Sequence, residues 1–219
     1  WGRTYFWNPV DFVNTSQRSF FNLDAVRSGI YGTRMHWAGG QQQNTYVFVD
    51  MTDANNLDDV GVLLRTEWLT GTTEWGLSTW QKYQAVGRYG LDMSTQFFGS
   101  DLTGELALSN GTNQSVVSGT TVAPVRGQMI AEATLGLSQT INWERPGRVS
   151  LHEEVYYNGA GYFDNPLADP TRYALIVANN LYNANHLSAW YGGAFISVSD
   201  FPGHGSTWST NLIQNGVDG

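Results

Sequence analysis

The sequence has no cysteine among its 219 residues, which excludes disulfide bonds and cysteine-ligated metal sites. Charged residues make up only 14% of the chain, and Lys82 is its single lysine. No apolar run approaches the roughly 18 residues that a membrane-spanning helix requires. The net charge of −8 is the wrong sign for a nucleic-acid surface, so we expect no nucleic-acid partner.

Aromatic residues and glycine are plentiful instead, at 14% aromatic residues and 25 glycines. The stretch 84–97 alternates between apolar side chains such as Leu91 and Met93 and polar side chains such as Arg88 and Asp92. Because successive side chains of a strand point to opposite faces, this period of two predicts a long, two-faced β-strand over 84–97.

Similar alternation recurs along the chain and predicts about ten strands, which we place at 30–37, 44–51, 60–68, 73–80, 84–97, 102–109, 128–143, 148–158, 187–198 and 206–213. Most connections alternate between short turns and longer segments, the longest being loops expected at 110–127 and 159–186. Short turns at one end of a sheet and long loops at the other are typical of an antiparallel meander and of outer-membrane barrels.

The two faces of the predicted strands differ in chemistry. The apolar parity mixes leucine and methionine with alanine, glycine and threonine, and near the short turns it carries a candidate aromatic girdle of Trp37, Trp68, Trp75, Phe97 and Trp143. The opposite parity carries the candidate pore-lining residues Arg34, His36, Arg65, Glu67, Glu74, Lys82, Arg88, Asp92, Glu105, Glu132 and Glu154. Alternation alone is equally compatible with a soluble sandwich whose apolar face points inward.

Five stretches, "FWNPVDFVN", "IYGTRMHWAGG", "GELALSNG", "LHEEVYYNGAGY" and "NLIQNGVDG", together resemble a broad group of Gram-negative outer-membrane porin-like proteins. The resemblance implies an all-β, antiparallel, up-and-down transmembrane β-barrel in the bacterial outer membrane. The implied partners are the lipid bilayer, lipopolysaccharide and small polar solutes, and either a homo-oligomer or a lumen-filling partner protein stays open. Because the final residues read as a turn, we expect an internal portion of a larger barrel.

Residues 1–29 lack the strand pattern and are rich in aromatic side chains. One interpretation is a constriction segment folded into the lumen, with Arg3, Asp11, Arg18, Asp24 and Arg27 facing the pore. The alternative is a surface loop packed on its own aromatic residues. Residues 30–219 would then supply the barrel strands.

No residue set predicts an enzyme, a cofactor or a metal site. Glu153 and Glu154 beside His152 point to opposite faces of a strand, so the two carboxylates cannot flank one bond. The acidic loop at 53–59 matches no calcium-binding spacing. Glu153 shares the apolar parity, which predicts either a bulge or a contact with a neighbouring subunit. Two rival functions remain: a soluble tryptophan-rich sandwich that binds carbohydrate, and a structural or export barrel whose lumen holds a partner.

Overall fold

The computed structural model describes residues 2–13, 30–40, 42–52, 54–142, 147–184, 186–200 and 205–217. Within these ranges ten strands form one antiparallel sheet, and each strand pairs with the next in the chain. The predicted all-β meander is confirmed, and the sheet is open because the first and last strands do not pair with each other in the described ranges. No described helix is long and apolar enough to cross a membrane.

The strands are β1 (Gly32–Ala38), β2 (Gln43–Asp50), β3 (Gly61–Thr70), β4 (Thr73–Lys82), β5 (Arg88–Phe97), β6 (Ser100–Ser118), β7 (Thr121–Asn142), β8 (Arg148–Asn158), β9 (Trp190–Ser199) and β10 (Thr207–Asn215). One helix, α1 (Pro170–Ala178), lies in the long connection between β8 and β9. It begins where Asp169 accepts hydrogen bonds from the backbone N–H groups of Thr171 and Arg172, and Pro170 occupies its first turn.

Two sequence expectations about this sheet are wrong. The strand predicted over 84–97 begins only at Arg88, because residues 83–87 form the turn from β4. The loop predicted at 110–127 is instead the far end of the β6–β7 hairpin, whose strands run for 19 and 22 residues. β-branched residues favour strand here, and the tight turn uses Gly119 with a φ of +59°. A register shift at Gly111 absorbs the irregular "NGTNQ" stretch.

The sheet has one face of buried charge and one face of exposed apolar residues. We call the first the polar face, and at its centre lie the buried side chains of Arg65, Asp92, Glu105 and Glu154. We call the second the apolar face, and it exposes Leu64, Leu77, Leu91, Leu135 and Val155. The cross-strand partners share a face throughout the regular ladders, so the parity predicted from sequence is maintained across the sheet.

Residues 2–13, which we call the amino-terminal segment, lie against the polar face. Phe6 and Trp7 pack with Tyr156 and Tyr191 in one buried cluster. A second cluster joins Val10 and Phe12 to residues of β3 and β6. The core of the described structure therefore lies between this segment and the polar face, while the apolar face has no layer of described residues over it.

Candidate functional site

Two glutamates hold the backbone of the amino-terminal segment. Glu154 on β8 accepts hydrogen bonds from the backbone N–H groups of Tyr5, Phe6 (2.7 Å) and Trp7 (3.2 Å). Three successive N–H groups therefore converge on one carboxylate. Residues 5–7 belong to none of the described strands, and the carboxylate supplies acceptors of the kind that a sheet ladder provides.

Glu105 on β6 binds the backbone of the segment on both sides of residues 5–7. It accepts the backbone N–H groups of Arg3, Thr4 (3.0 Å) and Val10 (3.1 Å). The segment is therefore tied at two points that lie two strands apart. These bonds are charge-assisted and buried, and so stronger than ordinary backbone hydrogen bonds.

A charge network occupies the polar face beside Glu105. Arg65 on β3 forms a two-pronged pair with Asp92 on β5, with N–O distances of 2.6 and 2.9 Å, and it also donates to Glu67 at 2.8 Å. Arg3 of the segment contacts Asp92 and forms an ion pair with Glu74 at 2.9 Å. Because Asp92 lies directly opposite Glu105 in the ladder, these two arginines offset a like-charge pair on neighbouring strands.

Glycines on the polar face make room for these contacts. Glu154 has Gly136 and Gly193 as its direct neighbours on the two adjoining strands. A Cβ at Gly193 would come within 2.9 Å of Phe6, and one at Gly90 within 2.7 Å of Val10. A Cβ at Gly76 would come within 2.4 Å of Arg65. Gly90 and Gly193 therefore let the segment lie close to the sheet, and Gly76 leaves room for the guanidinium of Arg65.

A second polar network lies at the far end of the segment. Arg88 donates to Glu132 at 2.8 Å, and the hydroxyl of Tyr156 donates to the other oxygen of Glu132 at 2.9 Å. Since the single hydroxyl proton of Tyr156 is committed to Glu132, the His186 Nδ1 that lies 3.2 Å from this oxygen is the donor. Burial lowers the pKa of His186, so its ring is neutral at pH 7.

The predicted pore-lining residues all lie on the polar face, but to different depths. Arg65, Asp92, Glu105 and Glu154 are buried beneath the amino-terminal segment. Half-buried positions are held by Glu67, Glu74, Lys82, Arg88 and Glu132. Arg34 and His36 are exposed on β1, where both contact the ring of Tyr46.

The predicted constriction residues are placed only in part. Arg3 belongs to the charge network, and Asp11 lies at the edge of a cavity beside the second network. Arg18, Asp24 and Arg27 fall outside the described residues.

Those residues of the predicted aromatic girdle that the structure describes lie on the apolar face. Trp37, Trp68, Trp75 and Phe97 have this orientation, and Trp68 pairs directly with Trp75 beside a two-residue turn. Trp143 falls outside the described residues. Glu153 also lies exposed on this face, and the register around it is continuous, so the bulge predicted as one explanation is not present.

No family model matches this chain, and no curated protein sequence matches it. Among solved structures, the crystal structure of Acinetobacter baumannii OccAB1, an outer-membrane porin, has a similar fold, with a TM-score of 0.50 at 15% sequence identity. The chain has a porin-like fold. The match covers 84% of this chain and 51% of that chain. The chain therefore spans about half the length of this neighbour, and at this identity the likeness concerns the fold alone.

The sequence predicted only part of the role of the amino-terminal segment in this porin-like fold. Its aromatic residues indicated packing, yet nothing local indicated that Glu105 and Glu154 hold its backbone. One usable signal was present: glycines such as Gly90 and Gly193 recur on the charged parity, where an ordinary polar surface has no need of them. Such glycines indicate close approach of another backbone.

Proposed function

We propose that this chain forms part of a porin-like channel in the bacterial outer membrane, through which small polar solutes pass without chemical reaction. The observation that carries the proposal is the inverted burial of the sheet. Leu77 and Leu135 on the apolar face are 54% and 56% exposed, whereas Arg65 and Asp92 on the polar face are 1% exposed. A sheet that leaves leucine uncovered and buries charge is suited to lipid outside and a polar lumen inside.

In this proposal the amino-terminal segment narrows the channel. Two observations support this role of the segment: its backbone is hydrogen-bonded to the carboxylates of Glu105 and Glu154, and its apolar side chains pack into two buried clusters. A segment bound at several points keeps one position, so the narrowing is a fixed constriction. The exposed aromatic residues near the short turns fit a membrane interface.

The lumen charges favour a weak preference for cations. The predicted pore-lining set holds more carboxylates than basic side chains, but its charges pair with one another, as in the Arg65–Asp92 and Arg88–Glu132 bridges. Paired charges leave only a mild field. Reversal potentials in planar bilayers should show a small cation preference that about 1 M salt removes, since the Debye length there is about 3 Å.

Single-cysteine spin labels test the lipid-facing orientation, because the chain has no cysteine of its own. Met93 and Ser94 are adjacent on β5 and face opposite sides. In liposomes of the full-length protein, a label at Met93 should be relaxed by lipid-soluble oxygen. A label at Ser94 should respond to a water-soluble nickel chelate. Equal responses at the two positions, or a protein that stays monodisperse without detergent, would rule out the membrane channel.

A further inference from the structure

The charge network of Arg3, Arg65, Glu67, Glu74 and Asp92 changes from buried to exposed along its length. The side chains of Asp92 and Arg65 are buried. Those of Arg3 and Glu67 are 15% and 16% exposed, whereas that of Glu74 is 46% exposed. A solute at the polar face can therefore approach this network most closely at the carboxylate of Glu74.

The ion pair between Arg3 and Glu74 joins the amino-terminal segment to β4. One guanidinium nitrogen of Arg3 lies 2.9 Å from a carboxylate oxygen of Glu74, and another contacts Asp92. If position 74 loses its charge, Arg3 keeps its contact with Asp92, and the segment keeps its backbone bonds to the glutamates of β6 and β8. The charge at position 74 can therefore be changed while the segment stays bound.

A second carboxylate on the polar face is matched to Glu74 except for contact with the segment. Glu74 is the second residue of β4, and Asp101 is the second residue of β6, a strand that starts from the same end of the sheet. Asp101 is exposed and shares the face of Glu105. No contact between described residues joins Asp101 to the segment, whereas Arg3 joins Glu74 to it. In the proposed channel, Glu74 therefore lies where the path is narrowed.

One charge beside a narrow path has a measurable effect on ion selectivity. A carboxylate attracts cations and repels anions, so both effects add in the ratio of cation to anion permeability. At about 8 Å from the path and in about 0.1 M salt, one elementary charge changes this ratio by about twofold. Since Arg3 and Glu74 carry opposite charges, removal of either should shift the ratio in the opposite direction to removal of the other.

We propose that the Arg3–Glu74 pair sets the ion selectivity of the channel: permeating cations meet the carboxylate of Glu74, and Arg3 moderates its field. The proposal rests on the channel function above and assigns its cation preference to one site. The buried bridge between Arg65 and Asp92 holds the pair in position, because Asp92 contacts both arginines.

Charges attached chemically at position 74 test this assignment, since the chain has no cysteine of its own. The full-length Glu74→Cys variant is measured in planar bilayers across a KCl gradient, before and after treatment with methanethiosulfonate reagents. The sulfonatoethyl reagent adds a negative charge and should raise the ratio of K⁺ to Cl⁻ permeability about twofold, whereas the trimethylammonioethyl reagent adds a positive charge and should lower it about twofold. Shifts of the same sign, or no shift in protein that mass spectrometry shows to be modified, would overturn the proposal. A thiol that neither reagent modifies would overturn it as well, because a residue met by permeating ions is open to water-soluble reagents.

Neutral substitutions give an independent measurement. Glu74→Gln should lower the permeability ratio about twofold, and Arg3→Gln should raise it about twofold. Asp101→Asn should give a smaller shift than Glu74→Gln, and Glu153→Gln on the apolar face should give none. Equal shifts in Glu74→Gln and Asp101→Asn would overturn the proposal, because selectivity would then follow the total charge of the lumen.

Two further measurements separate this proposal from its neighbours. Amide hydrogen exchange at residues 5–7 should be the same in Glu74→Gln as in the wild type, and faster exchange would refute the proposal by assigning the shift to a released segment. Wild-type conductance whose selectivity does not depend on position 74 refutes this inference and leaves the channel standing. Absence of any wild-type conductance refutes the channel function itself, and the selectivity assignment with it.

Discussion

Replacing Glu154 by glutamine should loosen the amino-terminal segment from the sheet while leaving the sheet intact. The carboxylate of Glu154 accepts three backbone N–H groups, from Tyr5, Phe6 and Trp7. Glutamine keeps one acceptor oxygen, removes the negative charge, and turns an NH₂ group toward at least one of these donors. Hydrogen bonds to a charged group contribute about 1.5–3 kcal/mol each, so we expect a loss of about 2–3 kcal/mol in segment docking.

Amide hydrogen exchange measures this loss directly. If the segment opens locally before it exchanges, a loss of about 2–3 kcal/mol speeds exchange at residues 5–7 by roughly 30- to 160-fold. Peptides from β5 in the same digest report on the sheet, and their exchange should not change. Mass spectrometry of the detergent-solubilised full-length protein gives both readings from one sample.

Glu153→Gln is the matched control, because it makes the same chemical change one residue away on the opposite face. Its exchange at residues 5–7 should equal that of the wild type. Equal acceleration in both variants would mean that the effect is general destabilisation. Unchanged protection in Glu154→Gln would show that the carboxylate does not hold the segment, and the reasoning from these contacts would be refuted.

Three further outcomes are expected. Gly76→Ala introduces a Cβ 2.4 Å from the buried arginine and should lower the free energy of unfolding by about 1–3 kcal/mol in denaturant titration. Gly104→Ala is its control, since the closest atoms there lie at 3.5 Å. Glu153→Leu removes a carboxylate from the apolar face, so it should raise the free energy of unfolding in lipid, seen as a higher urea midpoint. The gain should be smaller than the roughly 2–4 kcal/mol that a lysine or arginine costs at the bilayer midplane. No change in lipid would contradict the lipid-facing assignment. Burial lowers the pKa of His186 below its usual value. Because the unfolded state then takes up the proton first, packing of the connection between β8 and β9 should be fully stable above about pH 6.5 and weaken as the pH falls. Limited proteolysis at pH 7.5 and 5.5 checks this, and His186→Gln should lose the pH dependence.

The sheet was predictable because its signal is local. Side chains two residues apart share a face, so a stretch such as that around Leu91 and Asp92 discloses its two environments without knowledge of its neighbours. The hairpin tip escaped prediction for the same reason. Asparagine and glycine near Gly111 resemble a loop locally, yet a register shift lets the ladder continue past them.

The site was less predictable because its contacts join distant parts of the chain. Glu105 and Glu154 were identified as polar-face residues, but their partners are backbone N–H groups, which every residue except proline carries. No residue type in the segment indicates that its backbone N–H groups bind these two carboxylates. His186 gave no periodic signal either, since it lies in a connection and acts through Tyr156.

The ties from Glu154 to the amino-terminal segment also constrain the order of folding. They join residues 147 to 149 positions apart, and those from Glu105 span 95 to 102. Contacts this far apart in sequence form slowly, because the chain between them must be ordered first. The segment leaves the ribosome ahead of every strand described here, yet it finds its partners only after β8 has joined the sheet. Its aromatic residues therefore stay uncovered for most of assembly, which is when a binding chaperone would have the most to recognise.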